Sequence, residues 1–268
     1  MQKPRLIASD IDGTLIPYGE SALPPDLFPL IRRLGCQGIL FCPASGRQYH
    51  SLRRLFAPVA DEICFLCENG AAVFGAGSED TAPLLSKTAM PREHAEAIAR
   101  EIAACPPAEV VISGQSTSYL ISPGEALSRD LKERLHNHTA LVSDVSEIAE
   151  EIIKVSAFCP MGVEGPLAVL QPRWGAQYQA AVAGPHWIDF TLADKGKGLG
   201  GLCGTLSIDP AEVWAFGDNY NDVSMLSLAG TPWLMETAAA ELRNRFPRQC
   251  KNVSQELERL LFSLESEA

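Results

Sequence analysis

Near both ends of the chain, short apolar runs alternate with amphipathic ones. Runs of strand length fall at residues 6–9, 38–42, 63–67, 213–216 and 233–235, and stretches of helical period follow three of them, at 25–34, 49–56 and 221–229. Strand alternating with helix predicts an α/β core, a Rossmann-like parallel sheet with helices on both faces. In such sheets the ligand crevice lies beyond the carboxyl ends of the strands. Polar, glycine-punctuated loops stand at those ends. Asp10 and Asp12 follow the first run, Ser45-Gly46-Arg47 the second, Glu68-Asn69-Gly70 the third and Asp218-Asn219-Tyr220-Asn221-Asp222 the fourth.

Between residues 83 and 185 the texture changes. A helix rich in Ala and Glu is expected at 92–104, then a hairpin of strands 110–113 and 118–122 turning at Gly114 and Gln115. A helix near 127–136, a strand at 152–158, a helix near 165–170 and strands at 178–183 and 187–192 complete the stretch. Hairpins mixed with helices predict an α+β module inserted into the first domain. The expected division is a core domain in two segments, 1–82 and 187–268, around an inserted domain, 83–186.

The run Asp10-Ile11-Asp12-Gly13-Thr14 carries the sharpest chemistry. Residues two apart on a strand emerge on the same side, roughly 7 Å apart at the backbone, and the glycine lets the chain turn away. Both acids then reach one pocket, where one carboxylate can attack an electrophile while the other gives and takes protons. A strand-to-loop turn with a helix-capping Thr would explain this motif taken alone. It does not explain four strands ending in polar loops at one sheet edge.

With 268 residues, 46% hydrophobic and 21% charged, the chain has the make-up of an ordinary globular protein of more than one domain. A net charge of -11 argues against a non-specific nucleic-acid binder, which needs a basic face. It leaves anionic substrates open, because a local cation inverts the field at one site. No apolar stretch approaches the ~20 residues of a membrane span or reads as an export signal, so a cytoplasmic protein with eight reduced cysteines is expected. Cys64 and Cys67 flank two bulky apolar residues with no second Cys/His pair at zinc spacing, and are expected to pack in the core. His136 and His138, on a helix end and its following turn, are expected at the surface.

The motifs Asp10-Ile11-Asp12-Gly13-Thr14, Ser45-Gly46-Arg47, Lys195 and Gly217-Asp218-x-x-Asn221-Asp222 stand in an order that resembles the haloacid dehalogenase-like hydrolases. The long insert after the third core strand, the Glu68-Asn69-Gly70 loop before it and Met225-Leu226 after the last motif resemble the Cof-type sugar phosphatase branch. That resemblance implies a type II cap of subclass B. It also implies a phosphatase acting on small phosphate esters with a magnesium ion (Mg2+), and no protein partner.

The implied roles follow the motifs. Asp10 would attack phosphorus and form an aspartyl-phosphate that water then cleaves, with Asp12 as acid and then base. Asp10, Asp218 and, by the family pattern, the backbone carbonyl of Asp12 would hold the metal, with Asp222 orienting metal-bound water. Lys195 would pair with Asp10 and the phosphoryl oxygens. Spacing alone does not choose between Lys195 and Lys197, and only the family's Lys-Gly-x-x-Leu pattern favours Lys195. Ser45 is expected to donate its hydroxyl and backbone N–H to the phosphoryl group at a helix entry, with Gly46 beside it. Arg47 is a candidate for substrate or for an acid partner, and Asn221 for the phosphoryl group or a helix cap. Lys154, in a strand, resembles a cap lysine of the branch; the competing reading is a solvated strand face.

Two positions depart from the branch: Met235-Glu236-Thr237-Ala238 replaces the usual Asn-Ala pair, and residues 251–260 lack its Gly-Val step. Neither touches the catalytic centre. Rival readings are a phosphosugar mutase sharing the core residues and a non-catalytic phosphosugar-binding protein. A true dehalogenase would have no use for Asp12 or Asp218.

Overall fold

In the computed structural model, residues 3–20, 22–182 and 185–266 are described. The chain divides into two units: Met1–Ser45, Leu52–Ser86 and Asp194–Ala268 form the first, and Gly46–Ser51 with Lys87–Ala193 form the second. The chain opens with β1 (Leu6–Ser9), α1 (Leu27–Cys36), β2 (Leu40–Pro43), α2 (Tyr49–Leu55), β3 (Phe65–Cys67), β4 (Ala72–Phe74) and β5 (Leu84–Lys87). The insert follows with α3 (Arg92–Ala103), β6 (Glu109–Ser113), β7 (Ser118–Ile121), α4 (Glu125–Arg129), β8 (Thr139–Val142), β9 (Lys154–Phe158), α5 (Glu164–Trp174), β10 (Gln179–Val182) and β11 (Trp187–Thr191). The core then resumes with α6 (Lys195–Leu206), β12 (Val213–Gly217), α7 (Val223–Leu228), β13 (Thr231–Met235), α8 (Ala240–Arg245), β14 (Gln249–Cys250) and α9 (Val253–Ser266).

The core sheet runs β14-β13-β12-β1-β2, with every pairing parallel. Strands covered on both faces read as continuous apolar runs, and Leu6, Ile7 and Ala8 of β1 are fully buried. Ser9 lies opposite Phe216 on one side and Pro43 on the other. That register brings the loops after β1, β2 and β12 to one edge.

Two expectations change in detail. The third apolar run, expected inside the parallel sheet, does run parallel beside the end of β2, with Ala44 bridged to Leu66 and the Cys64 N–H donated to the Phe41 carbonyl at 3.0 Å. It also begins a smaller sheet of order β3-β4-β5. A sharp turn follows Cys67. Glu68, Asn69 and Gly70 all take left-handed φ values of 52°, 54° and 94°, folding β4 back antiparallel on β3. The second change is the boundary at 187. β11 pairs antiparallel with β9 and β10, and Ile188 and Phe190 join the apolar cluster of the insert, so the core resumes at Asp194 rather than Trp187.

The insert is an α+β domain built on a sheet of order β10-β11-β9-β6-β7-β8. Alternate residues face opposite ways. Val110 and Ile112 pack with Ile98 and Ile102 of α3, while Val111 packs with Leu120, Phe158 and Leu127 of α4. Ala183, at the end of the expected 178–183 strand, lies outside the described residues.

Gly70 combines its positive φ with close approach: a Cβ there would lie 2.4 Å from the Asp194 carbonyl oxygen, at the entry to α6. Gly38 also has positive φ (71°) but nothing near it. Gly70→Ala is expected to lower stability by at least about 2 kcal/mol and Gly38→Ala by about 1 kcal/mol. Urea unfolding followed by fluorescence gives the comparison, and equal losses would count against a close-packed Gly70.

Candidate active site

Asp10 leaves β1 with its N–H donated to the Phe216 carbonyl at 2.9 Å, so its backbone is tied to the neighbouring strand β12. Asp218 leaves β12 directly after Gly217, and Asp222 follows in a single tight turn. Oxygen atoms of Asp10, Asp218 and Asp222, all three buried, lie within 4.8 Å of one another. Into this group reaches Lys195, fully buried, whose Nζ donates to Asp10 Oδ1 at 2.5 Å and to Asp222 Oδ1 at 2.6 Å.

Each member is held by its own local structure. Lys195 is the first residue of α6, whose N-cap Asp194 accepts the Lys197 N–H at 2.9 Å, a favoured cap. The Lys197 ammonium lies outward, 64% exposed, so the alternative left open by spacing falls to Lys195 on geometry. Asp222 Oδ2 accepts the backbone N–H groups of Asp218 and Asn219, each at 3.0 Å. With Lys195 on the other oxygen, both Asp222 oxygens are engaged. Asp218 accepts Thr14 Oγ1 at 3.1 Å on Oδ1 and the Tyr18 hydroxyl at 2.5 Å on Oδ2.

Three carboxylates facing one ammonium leave a buried excess of negative charge. Burial pushes Asp10 up to about 8, with Asp222 adding to the shift and Lys195 opposing it. Burial also raises Asp218, while the Tyr18 hydrogen bond pulls it back. Burial alone would lower Lys195, but the charges of Asp10 and Asp222 outweigh it and hold the ammonium above its usual range. An excess of buried hard oxygen donors fits a hard divalent cation, which prefers carboxylate and water ligands.

The other expected residues fall at several places. Asp12 is exposed and stands apart from the three clustered carboxylates. Ser45 follows Ala44, whose N–H donates to Ser9 at 2.8 Å, so the loop after β2 begins beside Asp10. The Ser45 N–H donates to Leu66 at 3.0 Å, which corrects the expectation that this N–H serves the phosphoryl group. The constraint comes from β3, where Leu66 is bridged in parallel to Ala44. Asn69, which sequence reasoning passed over as a site residue, donates its N–H to the Ser45 carbonyl at 2.9 Å, and its side-chain oxygen is buried without a hydrogen-bond partner. Asn219, not Asn221, caps the turn; Asn221 is exposed. Thr237, where the branch has Asn, is also exposed.

Gly46, Arg47 and Lys154 belong to the second unit. Lys154 is not on a solvated strand face: it is 7% exposed, and its Nζ donates to Asp189 Oδ2 at 3.1 Å. Asp189 Oδ1 accepts Ser156 Oγ at 2.7 Å. Gln48, also missed, is buried and pairs with both backbone groups of His138. Its amide nitrogen further donates to Ser118 Oγ at 3.0 Å. Cys64 and Cys67 are buried in the core, where burial pushes the Cys64 thiol up to about 11.

Residues 7–256 match the family model for haloacid dehalogenase-like hydrolases. The chain belongs to this family. It is 26% identical over 239 residues to the 5-amino-6-(5-phospho-D-ribitylamino)uracil phosphatase YbjI of Escherichia coli, covering 88% of this chain and 86% of that protein. Identity to the phosphatase of the same name, YwtE, in Bacillus subtilis is 24% over 269 residues, covering 90% and 91%. A protein of known structure from Eubacterium rectale superposes with a TM-score of 0.82 at 27% identity, over 97% of this chain and 99% of that one. A subclass IIB sugar phosphatase of the superfamily shares the fold with a TM-score of 0.77 at 20% identity, over 95% and 98%. Family membership makes the chain a hydrolase, and the two bacterial relatives it resembles are named as phosphatases. No described helix is long and apolar enough to cross a membrane.

The charge excess makes a pH prediction for the metal-free hydrolase. An acid whose native pKa is raised binds more protons folded than unfolded, so stability falls as pH rises from its unfolded value to its native one. For Asp10 that window runs from 3.8 to about 8. Wild type should lose stability relative to Asp10→Asn across this range, as measured by denaturant unfolding with chelator present. Parallel curves would contradict the buried charge excess.

Proposed function

We propose that this protein is a magnesium-dependent phosphatase of small phosphorylated metabolites, sugar phosphates foremost, working through an aspartyl-phosphate on Asp10. The observation that carries the reading is the buried Asp10–Lys195–Asp222 bridge beside Asp218. It aligns a carboxylate nucleophile and supplies one fixed cation next to it.

Asp10 and Asp218, with the backbone carbonyl of Asp12, would hold the magnesium ion. When bound, it supplies the positive charge that lets a carboxylate approach a dianionic phosphate. Asp222 acts through its neighbours: with both oxygens engaged, it fixes Lys195 and the backbone of Asp218 rather than reaching the substrate. Lys195 keeps one Asp10 oxygen in place and offsets charge on the phosphoryl oxygens. Asp10 attacks phosphorus and the P–O bond to the substrate breaks. Asp12 protonates the leaving oxygen. The resulting carboxylate then takes a proton from water, which attacks phosphorus and releases phosphate and Asp10. The exposure of Asp12 suits a group that must meet both substrate and water. Ser45 would contribute its hydroxyl to the phosphoryl group.

For the remainder of the substrate this reading keeps Lys154, which is buried and paired with Asp189. The names of the E. coli and B. subtilis relatives specify a phosphorylated ribityl chain, which places polyol phosphates in the screen beside sugar phosphates. The small phosphate ester is the partner this reading needs. Eight cysteines without a disulfide support a cytoplasmic setting.

A phosphate-release screen over sugar phosphates, polyol phosphates, pyridoxal phosphate and nucleotides with magnesium tests the reading. Release that stops on chelation and falls more than about a thousandfold in Asp10→Asn is expected, since an amide cannot form the covalent intermediate. No release from any member, or an isomerised phosphosugar in place of free phosphate, would overturn it.

The same panel separates the two units. Ser45→Ala should depress kcat/KM for all substrates by similar factors, because each presents the same phosphoryl group. Lys154→Ala should change the ranking of substrates. An unchanged ranking would remove Lys154 from recognition.

A further inference from the structure

Tyr18 combines two properties that rarely go together. The residue is 68% exposed, yet its hydroxyl donates to a buried carboxylate, Asp218 Oδ2, at 2.5 Å. The other Asp218 oxygen is held by Thr14, which is 3% exposed and tied down by its N–H to the Ile11 carbonyl. One oxygen of Asp218 thus has a fixed donor and the other a donor on an exposed ring. Gly13 makes the approach possible. With φ at 97°, it lies where a Cβ would come within 2.4 Å of Asp218 Oδ2 and 2.8 Å of Tyr18 Cζ.

The hydroxyl also stands in the field of the whole acid group. Its proton is held more tightly than usual, first by the Asp218 hydrogen bond and also by the charges of Asp10 and Asp222. A donor aimed at Asp218 Oδ2 carries its partial positive charge to the same oxygen a cation would seek. Magnesium needs near-ideal octahedral coordination at about 2.1 Å, which leaves little tolerance for a competing proton on its ligand.

We propose that the Tyr18 hydroxyl is a displaceable stand-in for the cation, satisfying Asp218 Oδ2 in the metal-free protein and competing with magnesium for it. The inference rests on reading the acid group as the magnesium site. Thr14 keeps Asp218 oriented when Tyr18 leaves, and the exposed ring swings out into water. The competition needs a phenol four residues beyond Thr14, outside the run Asp10–Thr14 itself.

The test is magnesium binding itself, measured by titration calorimetry on the chelator-stripped full chain. Tyr18→Phe removes one oxygen from an exposed ring. It should tighten magnesium binding about five- to tenfold, the worth of a charge-assisted hydrogen bond in partial contact with water. Tyr18→Ala should tighten it in the same direction, which guards against an effect of the phenylalanine ring. In wild type, magnesium addition should produce a near-UV tyrosine difference signal that Tyr18→Phe lacks. Unchanged or weaker binding in both variants would overturn the proposal, since the hydroxyl would then support Asp218 rather than compete for it. Absence of magnesium binding in wild type would overturn the magnesium reading and this proposal together. Wild-type binding without tightening would overturn this proposal alone.

Discussion

The buried bridge from Lys195 to Asp10 and Asp222 sets the terms for everything around it. An ion pair removed from water loses several kcal/mol of hydration per charge and recovers it only through close geometry and further hydrogen bonds. Here the recovery is incomplete by design of the donor set: one ammonium serves two carboxylates, and Asp218 stands beside them with hydroxyl donors alone. The core is therefore arranged to hold a negative site open for positive charge. A proton, the Tyr18 hydroxyl and a divalent cation are alternative ways of meeting the same demand. The parallel sheet makes the arrangement possible, because β1 and β12 are neighbours whose ends deliver Asp10 and Asp218 to one place.

The same demand explains the uneconomical backbone beside it. Three consecutive left-handed residues, two of them not glycine, cost of order 1–3 kcal/mol each for the non-glycine positions. Their turn places Asn69 on the Ser45 carbonyl and Gly70 against the Asp194 carbonyl. One strained turn thus touches both the loop expected to meet the phosphoryl group and the helix that carries Lys195. Gly198 meets Gly70 at a distance that only two glycines allow, since a Cβ on Gly198 would lie 2.6 Å from the Gly70 Cα. Among the glycines of α6, poor helix formers on their own, Gly198 serves that contact, Gly196 and Gly201 lie close to Ser224 and Ser86, and Gly204 has nothing near it.

This division of labour also decides what the sequence revealed. The paired acids, Lys195 and the Asp218–Asp222 turn were legible because each is a short motif at a strand end, and strand ends are readable from apolar runs. The choice of Lys195 over Lys197 came from the resemblance alone, because spacing does not say which of two neighbouring lysines turns inward. Asn69 and Gln48 were missed for a different reason. Their work is done by backbone contacts with residues distant in sequence, and no local pattern marks such a residue. The antiparallel partner of β3 was missed because three buried apolar residues look the same in a parallel sheet and in a hairpin, and β3 takes part in both pairings. The boundary at 187 failed similarly, since β11 is as apolar as a core strand and only its partners, β9 and β10, assign it to the insert.

Lys154 shows how the same physics operates away from the acid cluster. A lysine in a strand is ordinarily a solvated residue, yet this one is buried with Asp189, which also accepts from Ser156. A buried ion pair is weak evidence for stability, because apolar residues of similar size often serve a core as well or better. What the pair does supply is direction: a paired ammonium and carboxylate fix one geometry between β9 and β11 that a hydrocarbon core would not. The two buried ion clusters then differ in kind. Lys195 faces an excess of acid and leaves charge for an incoming cation, whereas Lys154 and Asp189 balance each other. An unbalanced cluster suits a site that must bind charge and do chemistry on it. A balanced pair leaves no net charge to be met, so it makes no comparable demand on its surroundings.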